Sequence, residues 1–253
     1  AEQARAGTLP SVGLAMGMAV SMLILLYVSH EISFDRFHPN SKRIFHTLVK
    51  MDFGGNQIQF NRLSKNFGPA VKQANPEVEE FARIGLLFRE NMVIKSDEEH
   101  HFFEKSFYFS EPSLFKILAF EFLEGSPQSA LTEPNSVVIT EEIARKYFGN
   151  QNALGKTLTY NKTDLLKVTG VVKKFPTNSS LHYDFIASLS TFEAMMKRSN
   201  PNHIEADGLV GTRDYETYFL LNKPESVAKV EKVIPPVLTD KKAMLENHSQ
   251  FIR

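Results

Sequence analysis

The 253-residue chain contains no cysteine. Disulfide scaffolds, thiol nucleophiles and cysteine-bound zinc are therefore excluded. The absence assigns no compartment, because domains of this size fold outside the cytoplasm without disulfides. Tryptophan is also absent, whereas phenylalanine occurs 21 times. That composition points to a core built on Phe rings and identifies no ligand. Neither sign of charge prevails: 29 Lys and Arg balance 29 Asp and Glu. No global field then selects nucleic acid or an acidic surface. A G-x-x-x-x-G-K-[ST] phosphate loop is missing as well. With 42% hydrophobic residues the chain is nonetheless that of a folded protein.

The longest local absence is of charge. From Ala6 to Ser29 there is no charged residue and no histidine. As a helix rising about 1.5 Å per residue, this run spans about 36 Å, enough to cross a hydrocarbon core of about 30 Å. Pro10 suits the first helical turn. Gly13 and Gly17, with Ala15 and Ala19, form a small-residue face on which another membrane helix could pack, and Tyr27 falls at interface depth. A buried soluble helix is the first competing reading, and the lack of any polar face speaks against it. A cleaved signal peptide is the second. Arg5 is the only nearby positive charge and no small-x-small site follows the apolar core, so a retained membrane helix is expected. Arg36, Lys42, Arg43 and Lys50 would hold the following residues in the cytoplasm, but long domains translocate regardless of such charges, and orientation stays open on this count.

Beyond the helix the pattern alternates. Arg43 to Phe53 reads as a strand closed by Gly54-Gly55; Leu63 to Ala74 as a helix ended by Asn75-Pro76; Val78 to Phe88 as a second strand. Further strands are expected at Asn91 to Lys95 and Phe102 to Phe109. Ser110 and Pro112 then fit the start of a short helix. In NSVVITEEIARKYFGN, Asn135 to Asn150, VVI is a buried strand and Thr140 caps a helix carrying Glu141 and Glu142 in its first turn. Ile143, Ala144, Tyr147 and Phe148 form its apolar stripe, and Gly149 supplies a left-handed stop. GKTLTY and LLKVTGVV read as a hairpin, FPTNSS as a breaker, and HYDFIASLS as the start of a strand. Tyr215 to Asn222 is a strand, ESVAKVEKVI a helix stopped by Pro235-Pro236, and SQFIR a last strand. Strand-helix-strand at both ends around a mixed middle predicts an α+β domain of two lobes, one built from both chain ends.

Several separated motifs together resemble one family. "GLAMGMAVSMLILLYVSHEISFDRFHPNSKRIF" (Gly13 to Phe45) is similar to the first membrane helix and exit of MacB/FtsX-type ABC transporter permeases, some of which read Glu-x-Ser-Tyr/Phe-Asp-Arg-Phe-His there. "FSEPSLFKILAFEFLEGSPQSALTEPNSVVITEEIARKYFGNQNALGKTL" (Phe109 to Leu158) resembles the core of their extracytoplasmic domain, and the likeness covers most of residues 12 to 221. The resemblance implies a membrane helix with its exit collar over 8–37. It implies a MacB-like extracytoplasmic domain over 38–253: a porter-like lobe from about 42–95 and 214–253, and an inserted lobe of about 96–213. Residues after about Ser29 would lie outside the cytoplasmic (inner) membrane. The chain is then expected to be a piece of a longer protein, without catalysis or a cofactor of its own. ATP would sit on a partner ATPase subunit, and a second permease copy and a periplasmic or outer-membrane partner would complete the assembly. Its work would be to turn ATP-driven motion into export or extraction of a lipoprotein, peptide or drug.

The candidate sites cluster at the collar SHEISFDRFHPN. On a continued helix Glu31, Asp35 and His38 share one face and could hold a divalent ion. With Arg36, Lys42 and Arg43 nearby and Pro39 ending the helix, a hydrated, ion-paired junction is the plainer reading, with Phe34 and Phe37 packing at the base of the domain. His100-His101 after Asp97-Glu98-Glu99 reads as a polar turn, and His182-Tyr183-Asp184 lacks a serine elbow. A membrane-anchored sensory or ligand-binding domain and an anchored hydrolase are the alternative functions.

Overall fold

The computed structural model describes residues 8–53, 56–85, 92–96, 101–161, 163–199, 215–238 and 247–252. The chain forms two units: Ala1–Phe37 with Pro176–Leu181, and His38–Phe175 with His182–Arg253. The first unit is dominated by helix α1, Thr8–Glu31. Every residue from Val12 to Ile32 is exposed, including Leu14, Leu25 and Leu26. A helix apolar on all sides finds no aqueous face to present, and α1 is long and apolar enough to cross a membrane.

The second unit begins with a 3-10 turn, Ser41–Arg43, and continues through β1 (Ile44–Phe53), β2 (Asn56–Phe60), β3 (Arg62–Leu63), α2 (Phe67–Ala74) and β4 (Val78–Gly85). There follow β5 (Met92–Lys95), β6 (His101–Glu104), β7 (Phe107–Ser110), α3 (Leu114–Ile117), β8 (Phe122–Gly125), β9 (Ser136–Thr140), α4 (Glu141–Phe148), β10 (Thr157–Tyr160), β11 (Asp164–Val172), β12 (Phe185–Ser188) and α5 (Leu189–Ser199). β13 (Tyr215–Leu221), α6 (Val227–Leu238) and β14 (Asn247–Ile252) close it.

Chain ends far apart in sequence build the first half. The sheet order β14-β1-β13-β4 has β13 antiparallel to both β1 and β4, and β14 antiparallel to β1. β1 and β4 are therefore parallel with β13 between them, and β13 and β14 are parallel with β1 between them. These are two interleaved split β-α-β units, the ferredoxin-like arrangement. Phe67 and Val71 of α2 and Val230 and Ile234 of α6 bury against Phe45, Val49, Phe219 and Leu221.

The inserted half continues the same sheet as β7-β12-β9-β11-β10-β5-β6, with β8 on the other end of β11. Every residue of β9 is buried, as a short apolar run requires. Its core is a stack of rings: Phe107 lies 4.8 Å from Tyr160 and 5.4 Å from Phe185, and Phe109 lies 5.2 Å from Phe192. Thr140 caps α4 by accepting the Ile143 N–H at 3.4 Å, and Gly149 ends it at φ 60°. Gly125 has φ +80°, and a Cβ there would fall 2.4 Å from the Thr169 carbonyl, so the β8–β11 approach needs glycine. Glu104, on β6, holds the far end of α4 by accepting from Tyr147 Oη and Lys146 Nζ, both at 2.8 Å.

The structure departs from the sequence expectation at several places, of which three bear on how the halves are built. β5 pairs with β10 and β6, and Ile94 packs in the core of the insert rather than the porter-like lobe. Ser110 does not cap α3: its hydroxyl donates to the Arg83 carbonyl at 2.8 Å. Helix α6 runs through Pro235-Pro236 to Leu238. Proline's fixed φ is compatible with a helix, though Pro235 and Pro236 can donate no N–H to the i−4 carbonyls.

A short ladder joins the halves, Ile84↔Ser110 and Gly85↔Phe109. Beside it the Arg83 guanidinium grips Glu111 in a fork, Nε to Oε1 at 3.0 Å and Nη2 to Oε2 at 2.9 Å. Glu111 Oε1 also accepts the Arg83 N–H at 2.9 Å, and Arg83 Nη1 donates to the Lys65 carbonyl at 3.0 Å. A fork this shielded leaves an uncompensated charge when one side is removed. Glu111→Ala should cost about 3 kcal/mol in urea unfolding, and Arg83→Met with Glu111→Leu should cost less than Glu111→Ala alone. Equal or greater loss in the double variant would refute this role for the fork.

On the opposite sheet face His46 stacks on Tyr218 at 4.7 Å, with its Nε2 3.9 Å from Glu216 Oε2. Burial pushes the imidazole down to about 4. Burial pushes the Glu216 carboxyl up, opposed by Arg62 and Asn61. The unfolded chain protonates His46 near pH 6.5 and the folded chain only near 4, so this contribution to stability is lost as pH falls through that window. His46→Gln should therefore lose on the order of 3 kcal/mol less than wild type between pH 7 and pH 4, read by urea unfolding at each pH. Identical acid losses would show that His46 is not the group responsible.

Candidate functional site

The site is the exit of α1. The helix ends at Glu31, not near Pro39, and tight turns follow: Ser33 N–H donates to the His30 carbonyl at 3.0 Å and Arg36 N–H to the Ser33 carbonyl at 3.3 Å. Two features stop the helix. The Ser33 hydroxyl satisfies the His30 carbonyl at 2.7 Å, and Asp35 takes a left-handed backbone at φ 56°. That conformation costs a non-glycine residue on the order of 1 kcal/mol, and aspartate bears it better than most.

Asp35 is held by the segment Pro176–Leu181 of the same unit. Its N–H donates to the Asn178 carbonyl at 3.1 Å. Its Oδ1 accepts from Ser179 Oγ at 3.1 Å and from the Ser180 N–H at 2.9 Å, and its Oδ2 accepts from Ser180 Oγ. Asn178 reaches back, its Nδ2 donating to the Ser33 carbonyl at 3.2 Å and to Ser33 Oγ at 3.1 Å. The segment is shaped for this: Ser179 N–H closes a turn on the Pro176 carbonyl at 3.0 Å, and buried Ser179 Oγ accepts the Leu181 N–H at 3.1 Å. A carboxylate taking three hydrogen bonds is a strong local anchor. Phe34 meets His30 edge-on at 5.2 Å, Phe37 is half-buried, and Glu31 and Arg36 are exposed.

The next residue opens the second unit. His38 is 3% exposed; its Nδ1 accepts the Ala119 N–H at 3.2 Å and its ring meets Phe175 edge-on at 5.2 Å. Pro39 is exposed and begins the turn into β1. Arg43 then donates from Nε to the Leu221 carbonyl at 2.7 Å and pairs with Glu79.

The expected face of Glu31, Asp35 and His38 does not form. With the helix ended at Glu31, the i, i+4, i+7 spacing no longer aligns them. Asp35 is committed to serines and His38 to a backbone amide. Among the described residues no group of three His, Asp or Glu is placed to hold a metal ion. His101 lies on β6, opposite Lys95, and His100 lies outside the described residues. His182 is exposed beside buried Tyr183. Gly13 and Gly17 sit one turn apart on α1 with open space where side chains would be, and Ala15 and Ala19 are exposed. Sequence reasoning missed Asn178, Ser179 and Ser180. Their only signal was a Pro followed by small polar residues, which marks a turn and not its partner.

Comparison with known proteins sets this geometry in context. Residues 9–237 match the family described as the MacB-like periplasmic core domain. No curated protein is matched. Among solved structures, a domain from Porphyromonas gingivalis whose parent is described as a permease protein shares 23% identity at TM-score 0.66, over 86% of this chain and 92% of that one. The extracellular domain of the noncanonic ABC-type transporter YknZ from Gram-positive bacteria shares 14% at TM-score 0.57, over 83% of this chain and 100% of that one. The periplasmic region of MacB from Actinobacillus actinomycetemcomitans shares 14% at TM-score 0.56, over 83% and 88%. These likenesses show the fold. The family match takes in α1, the collar and nearly all of the domain, and by it this chain belongs to the MacB-like periplasmic core domain family.

Proposed function

We propose that this chain is the extracytoplasmic domain of an ABC transporter permease together with its first membrane helix, and that it transmits motion rather than catalysing a reaction. The observation that carries the reading is the family match running unbroken from the apolar helix into the domain. The geometry supports it: an all-apolar helix leads through a hydrogen-bonded collar into one continuous sheet. α1 lies in the cytoplasmic membrane and residues after about Ser29 lie outside. ATP binds a partner ATPase subunit, as the transporter reading requires of some part of the complex. The Gly13, Gly17, Ala15 and Ala19 face takes a neighbouring membrane helix. A second permease copy completes the complex, and a periplasmic or outer-membrane partner can join it. The cargo belongs to the lipoprotein, peptide or drug class.

Purification of the full-length protein from native membranes tests the proposal. An ATPase subunit should co-purify, with two permease copies in the complex by native mass measurement. Full-length protein that is monomeric and free of ATPase, or fused to a kinase or a methyl-accepting coiled coil, would overturn it in favour of an anchored sensory domain.

A further inference from the structure

We infer that Asp35 is a positioning residue for the transport cycle: its carboxylate delivers movement of the membrane helix to the inserted half of the domain. The inference rests on the transporter reading above.

The chain itself gives α1 one path outward. It passes Arg43 into β1 and so into the ferredoxin-like half, and on the way His38 touches the insert at the Ala119 amide and the Phe175 ring. Nothing covalent near the collar leads into the insert, which lies between β4 and β13 in sequence. The segment Pro176–Leu181 supplies that second path. It leaves β11 at Val172 and returns to β12 at Phe185, and these strands flank the wholly buried β9 on either side. A load on this segment therefore enters the middle of the insert's sheet through two strands.

The grip on that segment is concentrated on one side chain. Ser180 gives Asp35 both its backbone N–H and its hydroxyl, and Ser179 gives its hydroxyl. Glycine would adopt the backbone of position 35 without strain, so what aspartate adds there is the carboxylate. An unfavourable backbone held in place by its surroundings marks a position where side-chain chemistry is needed. Asn178 and Ser33 make the same junction from the other direction.

The test uses the full-length permease with its ATPase subunit in lipid vesicles. Single thiol reporters are placed at Leu165→Cys on β11 and Gln73→Cys on α2, and maleimide labelling is timed without nucleotide and with ATP and vanadate. In wild type both rates should respond to nucleotide. In Asp35→Ala the response at position 165 should be weakened while that at position 73 remains, and amide exchange at Ser180 should quicken about tenfold as its acceptor goes. Ser179→Ala with Ser180→Ala, which removes both hydroxyl donors to the carboxylate, should show the same split, and keeps the test open if Asp35→Ala fails to fold. Normal responses at both positions in Asp35→Ala, or loss at both, would overturn the inference and leave the transporter reading standing. No response at either position in wild type would overturn the transporter reading itself, and the inference with it.

Discussion

Strand β13 is the constraint on which the rest of the domain depends. It pairs with β1 on one side and β4 on the other, and it brings Phe219 and Leu221 to a core whose other members come mostly from before residue 82. Without β13 the strands β1 and β4 have no ladder between them. The ends of the intervening insert must therefore be brought together for the ferredoxin-like half to form. Closing so long a loop costs entropy that only non-local contacts repay. The Arg83–Glu111 fork and the Ser110 hydroxyl sit where the two halves meet, which gives the Ser-Glu-Pro run at the end of β7 a physical reason.

The collar applies the same economy at the membrane side. The chain ends α1 at Glu31, turns, and fastens Asp35 to a segment from the insert. His38, three residues on, is fastened separately to Ala119 and Phe175. Stiffness here comes from hydrogen bonds made by charged and buried polar groups, not from helical continuity.

What could be read from the sequence was local. The buried run of β9, the Thr140 cap, the Gly149 stop and the β10–β11 hairpin each announce themselves within a few residues, and each stands in the structure where its chemistry puts it. The two end units were also legible, because a switch between two-residue and helical periodicity marks a strand-helix-strand order. Partners distant in sequence were not. Ile94 pairs with Tyr160, so β5 belongs to the insert although it follows β4 in sequence. Ser110 looked like a cap because serine before proline usually is one, but a carbonyl from β4 lay closer. The Asp35 clamp was invisible for the same reason: a lone aspartate gives no sign of serines so far along the chain. Its left-handed backbone also depends on those partners and could not be inferred without them.

The most direct measurement is structural. The full-length permease with its ATPase subunit should be imaged by cryo-electron microscopy in nucleotide-free and ATP-trapped states. The account predicts that the domain changes position between the states while the Asp35 carboxylate keeps its hold on Ser179 and Ser180 in both. A domain that moves with this contact broken in either state would contradict it.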